Sequence, residues 1–363
     1  MIDRRLLGNI DWFLIGLLLF NSALGVVFIY SSSHYLPGNF YLKQALWIFL
    51  SLAVLFFILI FDYKKLVTYA LYLYGFFIFV LAGMLVFGRA LFGSKSWIKL
   101  GFLWAQPSEL AKIIVIIFLA GLFSEYRRSS LSLGALFLSV VLVSLTILLV
   151  ALQPDLGTAL TFMPLLAASL ILAGMRGKAI ILLLVACLLL GYLGWNYGLQ
   201  DYQKKRLTTL VFPSQDPKGA GYHILQSKIA IGSGGFLGKG FKKGSQSQLR
   251  FLPSRHTDFV FSVLGEEFGF LGVVAAMLSY FLFISRLFKS VGKSRDRAGI
   301  YIVFMVAMMI AFQFFVNVMM IIGLFPITGI PLPLLSYGGS SLLATYLGVG
   351  LVLNVKMRRF ANI

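Results

Sequence analysis

The sequence predicts an all-α integral membrane protein with about ten transmembrane helices. Of its 363 residues, 60% are hydrophobic and 12% are charged, and the mean hydropathy is +0.93, which excludes an ordinary soluble globular protein. A helix rises about 1.5 Å per residue and the bilayer core is about 30 Å thick, so each crossing needs about 20 apolar residues. Ten stretches meet this requirement, at residues 12–31, 44–61, 66–88, 108–124, 131–151, 157–175, 179–197, 257–285, 299–323 and 337–355.

The distribution of Lys and Arg predicts how these helices are oriented, because short basic connections lie in the cytoplasm. With the N-terminus on that side, the cytoplasmic connections carry Arg4 and Arg5, Lys64 and Lys65, Arg127 and Arg128, Arg176 and Lys178, the cluster at 286–297, and Lys356, Arg358 and Arg359. No small-x-small cleavage site follows the first stretch, which is therefore predicted to remain as a span. An even number of spans returns the C-terminus to the cytoplasm. The single cysteine, Cys187, lies in an apolar stretch and excludes an internal disulfide.

A long basic loop, residues 200–256, separates spans 7 and 8, and this topology places it outside the cytoplasm. The rest of residues 1–363 is predicted to form one polytopic membrane domain around it. Its cations are Lys204, Lys205, Arg206, Lys218, Lys228, Lys239, Lys242, Lys243, Arg250 and Arg255, against the acids Asp201 and Asp216. Long loops translocate largely regardless of charge. The excess charge suits either anionic lipid headgroups or a bound diphosphate.

Within this loop, residues 222–231 have the pattern of a short helix that is too short to cross a bilayer. A glycine-rich segment follows at residues 232–240. Its spacing fits neither the dinucleotide fingerprint nor the P-loop, so nucleotide binding is not indicated. Either an anion-binding backbone nest or a flexible hinge would explain the glycines. Nothing in the pattern indicates a nucleic-acid partner.

Ionisable residues within or beside apolar spans are candidate functional sites, because a charge at the bilayer centre costs on the order of 2.5–3.5 kcal/mol. Asp258 stands where the basic loop turns into the eighth span, at the level of a lipid headgroup. Glu109 and Lys112 lie three residues apart, which predicts an ion pair on one helix face; it could balance the helix dipole or face a hydrated cavity. Residues 266–267, two glutamates, lie deeper and are interpreted as structural. Asp155 is predicted to cap the sixth span.

Residues 325–341 are apolar but contain three prolines and three glycines, so no regular helix is expected there. Broken backbone at membrane depth is tolerated only inside protein or beside water. The segment is therefore interpreted as a re-entrant stretch that lines a cavity, with a simple external turn as the alternative.

Several motifs spread over nearly the whole chain resemble the SEDS family (shape, elongation, division and sporulation). They are Trp97 with QPSELAK at 106–112, QPDLG at 153–157, GAGYHILQSKIAIGSGG at 219–235, QSQL at 246–249, FLP at 251–253, HTDF at 256–259 and PLPLLSYGGS at 331–340. QSQL before FLP favours the elongation members over the division members. Arg250 and Ser254 depart from the family, since relatives often carry acidic residues there.

The resemblance implies a glycosyltransferase of the bacterial cytoplasmic membrane with an extracytoplasmic active site. It would polymerise lipid II, using an undecaprenyl-diphosphate-linked glycan as donor, into β-1,4-linked strands for cell elongation and rod shape. The implied partners are a class B penicillin-binding protein that acts as transpeptidase and other membrane proteins of the elongation complex.

The resemblance also indicates which residues would form the site. The family's essential acid falls on Asp258, which would act as a base or bind a divalent cation, Mg²⁺ or Mn²⁺. The family's Glu and Lys pair falls on Glu109 and Lys112. Arg255, Lys239, Lys228 and Arg206 are the expected contacts of the leaving diphosphate. His256, Gln246, Gln248, Ser336 and Tyr337 lie in the motifs themselves and are expected to bind or orient substrate.

Two other functions fit parts of the pattern, and a third fits it less well. A lipid II flippase or transporter would share the many spans, the hydrated cavity and the broken helix. Another lipid-linked glycosyltransferase, such as a glycan ligase, would share the basic outer loop. A purely structural membrane protein gives no reason for an acid beside so many cations.

Overall fold

The computed structural model describes residues 8–91, 94–101, 103–125, 133–175, 201–212, 219–252 and 254–360, with 177, 181, 185, 189, 191, 192, 194–198 and 216. Within these residues, eight helices are long and apolar enough to cross a membrane. They are α1 (Trp12–Ser33), α2 (Phe40–Ile60), α4 (Ala70–Phe87), α5 (Pro107–Ser124), α6 (Leu133–Ala151), α12 (Val260–Val291), α13 (Arg297–Ile321) and α14 (Gly339–Met357). The predicted helical membrane protein is confirmed, and eight of the ten predicted spans coincide with these helices.

Shorter helices connect the long ones. They are α3 (Tyr63–Thr68), α7 (Leu156–Leu160), α8 (Met163–Leu172), α9 (Asp201–Val211), α10 (Ala220–Ser233) and α11 (Ser245–Gln248), with a π turn at Gly194–Gly198 and a 3-10 turn at Arg358–Phe360. The sixth predicted span, 157–175, is divided into α7 and α8, with a proline in the first turn of α8. Most of the seventh predicted span lies outside the described residues, as does Cys187.

A small antiparallel sheet that the sequence analysis did not predict lies between α4 and α5. Its strands are β1 (Arg89–Leu91), β2 (Ser94–Leu100) and β3 (Leu103–Ala105), paired in the order β1-β2-β3. The backbone N–H of Lys95 donates to the carbonyl of Gln153 at 3.1 Å. This hydrogen bond joins the sheet to the turn that precedes α7, where Asp155 begins the next helix.

Aspartate side chains cap the N-termini of several helices in the described chain. The carboxylates of Asp11, Asp155 and Asp296 each accept a hydrogen bond from the backbone N–H three residues later, at 3.2, 3.2 and 3.3 Å, respectively. Such caps satisfy N–H groups that have no partner within the helix. The predicted cap at Asp155 is therefore confirmed.

Ion pairs gather several helix ends at one face of the bundle. Asp11, before α1, accepts from Arg286 near the end of α12 at 2.8 Å and also from Lys356 near the end of α14. Tyr63 donates to Asp296 at 2.6 Å and brings the starts of α3 and α13 to the same face. The distribution of Lys and Arg predicts that these helix ends lie on the same side of the membrane. Residues 4–5, 127–128, 176 and 178 of that prediction lie outside the described residues.

The opposite face carries the sheet and the described parts of the basic loop. The short helix predicted at 222–231 is confirmed by α10, which packs along α12. Residues 325–338 form no regular helix, as predicted, and Ile330, Leu332 and Leu335 of this stretch are buried. The stretch therefore lies within the protein rather than forming an exposed turn.

Helix α12 is interrupted at Gly269, whose φ of 62° and ψ of −157° are not helical. The glycine-rich segment lies against this break. Backbone N–H groups of residues 239–240 donate to the carbonyls of residues 266–267 at 3.0 and 2.9 Å, and those of residues 270–271 donate to the carbonyls of residues 235–236 at 2.9 and 3.2 Å. The segment thus restores the hydrogen bonds that the break removes. It is neither an anion nest nor a free hinge.

Candidate active site

Asp258 lies in the turn that leads directly into α12, two residues before the helix begins, and its side chain is half-buried. No group in the described part of the chain donates a hydrogen bond to its carboxyl oxygens. Burial raises its pKa from 3.8 to about 6, and the opposing attraction of the Arg206 charge is smaller. The carboxyl is therefore mainly ionised at neutral pH and still basic enough to accept a proton.

The backbone beside this carboxyl is held by three consecutive hydrogen bonds. The carbonyls of residues 256, 257 and 258 accept from Tyr337 N at 2.9 Å, Ser336 Oγ at 2.5 Å and Asn317 Nδ2 at 3.1 Å, respectively. Ser336 and Tyr337 were expected to bind or orient substrate. The structure shows that both hold the backbone on which Asp258 stands.

Gln44 of α2 holds the 336–338 segment, which in turn holds the backbone beside Asp258. Its Nε2 donates to the carbonyl of Ser336 at 3.2 Å, and its Oε1 accepts from the N–H of Gly338 at 3.3 Å. Gln44 is fully buried. The start of α14 and the Asp258 turn are thus linked to α2 through one amide.

His256 does not add a positive charge to the site. Burial and the nearby charge of Arg255 lower its pKa to about 4, so the imidazole is neutral at pH 7. Its ring lies 4.7 Å from the Phe40 ring and 5.9 Å from the Tyr337 ring, centroid to centroid. The side chain therefore packs against aromatic rings beside Asp258.

The expectation that Arg255 contacts a diphosphate is not supported. Its Nε donates to the carbonyl of Ser32 at 2.7 Å, and its Nη1 donates to the carbonyl of Ser247 at 3.0 Å. The guanidinium also lies 4.8 Å from the Tyr35 ring centroid, and the residue is 5% exposed. Arg255 therefore ties the loop to the end of α1.

Lys239 is likewise occupied within the protein. Its Nζ lies 2.9 Å from Glu266 Oε1 and 2.7 Å from Ser245 Oγ. Glu266 is fully buried and also accepts from the N–H groups of Gln246 at 2.8 Å and Ser247 at 3.0 Å. These contacts hold Lys239 within the protein and agree with a structural role for Glu266, while the expected diphosphate contact of Lys239 stays a prediction.

Gln246 and Gln248 lie beside these acids, away from the Asp258 turn. Gln248 Nε2 donates to the carbonyl of Ser31 at 3.1 Å. Ser31 in turn donates through Oγ to Glu267 Oε1 at 2.5 Å. The backbone of Gln246 and the side chain of Gln248 thus connect α11 to α12 and α1, and the expected substrate contact of these residues stays a prediction.

Arg206 and Lys228 are the other two expected diphosphate contacts, and Arg206 lies near Asp258. The charge of Arg206 acts on the Asp258 carboxyl, and its Nη1 donates to the carbonyl of Ile327 at 3.3 Å. Lys228 is exposed on α10, and its side chain lies over Gly323. Both side chains therefore reach the 323–327 stretch that follows α13.

The predicted Glu109–Lys112 ion pair is confirmed, with Lys112 Nζ 2.8 Å from Glu109 Oε2 and both side chains buried. Gln106 adjoins the pair and donates to the carboxyl of Asp155. The N–H of Gln106 donates to Ser340 Oγ at 2.9 Å. The pair and Asp258 thus form two polar clusters that border the first turn of α14.

The described residues contain no group of three or more His, Cys, Asp or Glu side chains that would hold a metal ion. Among these residues Asp258 offers one carboxylate at the site, which fits a cation that takes its other ligands from substrate phosphates and water. A cavity of about 350 Å³ lies elsewhere, at the face that carries Asp11, and is lined by Lys64, Thr68, Ser124 and Arg297, among others.

Sequence reasoning missed Asn317 and Gln44. Both are uncharged amides within long apolar helices, and each is fully buried. A polar side chain in a membrane-spanning helix is expensive unless it finds hydrogen-bond partners. The same argument that singled out the charged residues could have found these two amides.

Comparison with known proteins identifies the family. The family model FTSW_RODA_SPOVE, described as cell cycle protein, matches residues 11–360. The chain is 40% identical over 295 residues to the peptidoglycan glycosyltransferase MrdB of Escherichia coli K12, covering 80% of this chain and 78% of MrdB. It is 32% identical to the peptidoglycan glycosyltransferase RodA of Treponema pallidum, covering 98% and 99% of the two chains.

A solved structure gives the same result. The chain matches, with a TM-score of 0.84 and 33% identity, a protein from work described as structural coordination of polymerization and crosslinking by a peptidoglycan synthase complex. The match covers 97% of this chain and 99% of the other. The chain therefore belongs to the SEDS family of FtsW, RodA and SpoVE proteins.

Proposed function

We propose that this chain is a peptidoglycan glycosyltransferase that polymerises lipid II into β-1,4-linked glycan strands for cell elongation and rod shape. The relatives named MrdB and RodA are peptidoglycan glycosyltransferases by name. The observation that carries the proposal is the half-buried Asp258 carboxyl, whose pKa of about 6 suits a general base at neutral pH.

The reaction needs one base. The C4 hydroxyl of lipid II attacks the anomeric carbon of the growing glycan, and its proton passes to the Asp258 carboxylate. The new glycosidic C–O bond forms as the bond to undecaprenyl diphosphate breaks, and the diphosphate leaves with the bonding electrons. An α-linked donor gives a β-linked product, so the configuration inverts. A positioned base contributes about 10²–10⁴-fold to such a step.

Cations near Asp258 stabilise the leaving diphosphate. Arg206 and Lys228 are assigned this role because their side chains reach the stretch beside the Asp258 turn. Arg206 offers a planar guanidinium, which suits bidentate contact with phosphate oxygens. The buried Glu109–Lys112 pair is assigned to orient the bound sugar on the other side of the α14 start.

As the alternative to its role as base, Asp258 together with the substrate diphosphate would hold a divalent cation, Mg²⁺ or Mn²⁺, which would supply charge stabilisation to the leaving group.

The arrangement of charges supports the orientation of the chain in a bacterial cytoplasmic membrane. Cations of the described chain at the Asp11 face, including Arg286, Lys356 and Arg358, lie at one end of the long helices. Asp258 lies at the other end, beside the basic loop. The positive-inside rule then gives cytoplasmic termini and an extracytoplasmic active site.

The proposed partner is a class B penicillin-binding protein that crosslinks the new strands. The matched solved protein comes from a complex in which polymerization and crosslinking are coordinated. Other membrane proteins of the elongation complex complete the expected assembly.

Strand synthesis from labelled lipid II by the purified protein tests the proposal. We expect Asp258→Asn to abolish synthesis while remaining folded, because its pKa shows that a neutral group suits this position. Asp216→Asn is the matched control, since Asp216 is an outer-loop acid that pairs with exposed Lys205 at 3.1 Å; it should retain activity. Undiminished synthesis by Asp258→Asn would refute the proposed role. Lipid translocation in vesicles without any polymerisation by the native chain would favour the flippase instead.

A further inference from the structure

A single buried amide joins three separate segments at the Asp258 turn. Asn317, in the last part of α13, is fully buried. Its Nδ2 donates to the carbonyl of Asp258 at 3.1 Å and to the carbonyl of Ile330 at 2.9 Å. Helix α13, the turn before α12 and the stretch before α14 therefore meet at this nitrogen.

The chemistry of this position favours an amide. Both neighbours are carbonyl oxygens, so the nitrogen and not the oxygen of Asn317 must face them. A primary amide nitrogen carries two hydrogens and no net charge, which matches two acceptors in a buried place. A hydroxyl would supply one donor, and Lys or Arg would bury a charge.

The contact acts on the residue that carries the reacting carboxyl. The carbonyl of His256 accepts from the N–H of Tyr337, and the carbonyl of Thr257 accepts from the hydroxyl of Ser336. The carbonyl of Asp258 itself accepts from Asn317. Helix α12 starts two residues later. Asn317 thus links the backbone of Asp258 to helix α13.

We propose that Asn317 is a positioning residue for glycan polymerisation, fixing the Asp258 backbone so that the carboxylate meets the acceptor hydroxyl. The inference rests on the proposed function of Asp258. It gives Asn317 no contact with substrate, because the side chain is fully buried and both hydrogens of its amide nitrogen are used within the protein.

A positioning role predicts a particular kinetic result. A misplacement of about 1 Å at a reacting group can cost about 10²-fold in rate. Substrate binding depends on other groups, so the loss falls on kcat, while KM changes by less than about threefold.

The test compares purified variants of the full chain in strand synthesis from lipid II, with thermal unfolding measured on the same samples. Asn317→Leu keeps the approximate volume and removes both donors, and we expect kcat about 10–100-fold below the native value. Asn317→Ser keeps one donor, and its kcat should lie between those of the native protein and Asn317→Leu. Gln313→Leu is the matched control, because Gln313 is a buried amide one turn earlier on α13, and it should keep a native kcat.

The outcomes separate the two proposals. If kcat of folded Asn317→Leu stays within about twofold of the native value, positioning by Asn317 is wrong. It is also wrong if Gln313→Leu lowers kcat as much as Asn317→Leu does. A raised KM with native kcat would also overturn it. If Asn317→Leu does not fold, a native kcat in Asn317→Ser overturns it and a reduced one supports it. Full activity in Asp258→Asn would instead overturn the proposed function itself.

Discussion

If Asp258 is the base, polymerisation should lose activity as the pH falls through about 6. Burial raises the pKa of this carboxyl from 3.8 to about 6. With that value, about nine-tenths of the molecules are ionised at pH 7 and about one-tenth at pH 5. Only the ionised form accepts the hydroxyl proton, so the rate should fall about tenfold between these two pH values.

The measurement is kcat/KM for strand synthesis between pH 4.5 and 8, because this quantity reports the free enzyme. The diphosphate of lipid II also titrates, so its ionisation is followed separately by phosphorus NMR and its contribution removed. Samples held at pH 5 and returned to pH 7 control for unfolding. Asp216→Asn should give the native profile.

The alternative is an unperturbed aspartate, which titrates near 3.9. Such a group would keep the rate level down to about pH 5, and a level rate would therefore refute the argument from burial. Asp258 variants that lack the carboxyl but keep some activity give a second test. If their pH–rate profile still shows an inflection near pH 6, another group is responsible for the titration.

The remaining predictions concern stability and the roles of other residues. Asp258→Asn should raise the free energy of unfolding at pH 7 by about 1–2 kcal/mol. Because folding raises the pKa of this carboxyl from 3.8 to about 6, the native protein loses stability as the pH rises through that range. The full pKa shift corresponds to about 3 kcal/mol, and the partial exposure of the side chain reduces this free energy. Asp11 has its pKa lowered to about 2, so its contribution of about 2–3 kcal/mol should be lost as pH falls from about 4 to 2, and Asp11→Asn should remove that dependence in thermal unfolding scans. Lys239→Met should lower the melting temperature, because it leaves buried Glu266 without its ion-pair partner, while kcat of the folded protein stays native. A loss of kcat without a loss of stability would instead support a diphosphate contact of Lys239. Gly269→Ala should destabilise the protein by at least about 1 kcal/mol, since φ is 62° and the added methyl would clash with the backbone nitrogen of Gly238. An unchanged melting temperature would contradict the observed break.

Local sequence patterns predicted those features whose partners lie close along the chain. The Glu109–Lys112 pair follows from a spacing of three residues on a helix, and the cap at Asp155 uses an N–H three residues away. The long helices follow from the length and apolarity of their segments. In each case the physical cause lies within a few turns, so no knowledge of the tertiary fold is needed.

Features that depend on distant partners were not predictable in the same way. Arg255 looked like a free cation beside Asp258, but its guanidinium bonds to Ser32, 223 residues away in sequence. Lys239 likewise meets Glu266 only because the glycine-rich segment folds back onto α12. The break at Gly269 was hidden within an apolar run that also fits an unbroken helix. The sheet strands at 89–105 are too short to show a clear alternation.

Much of the positive charge of the basic loop has a structural cause. Several cations serve the fold: Lys239 and Lys205 pair with acids, Arg255 bonds to carbonyls, and Lys242 and Arg250 lie over the rings of Tyr30 and Tyr35 at 4.0 and 5.3 Å, respectively. Attraction to lipid headgroups alone would not require such specific partners. A diphosphate leaving from beside Asp258 would meet the cations that reach the 323–327 stretch, Arg206 and Lys228. Loss of rate on removing those two charges, with the loop still folded, is thus what separates transition-state stabilisation from simple membrane attraction.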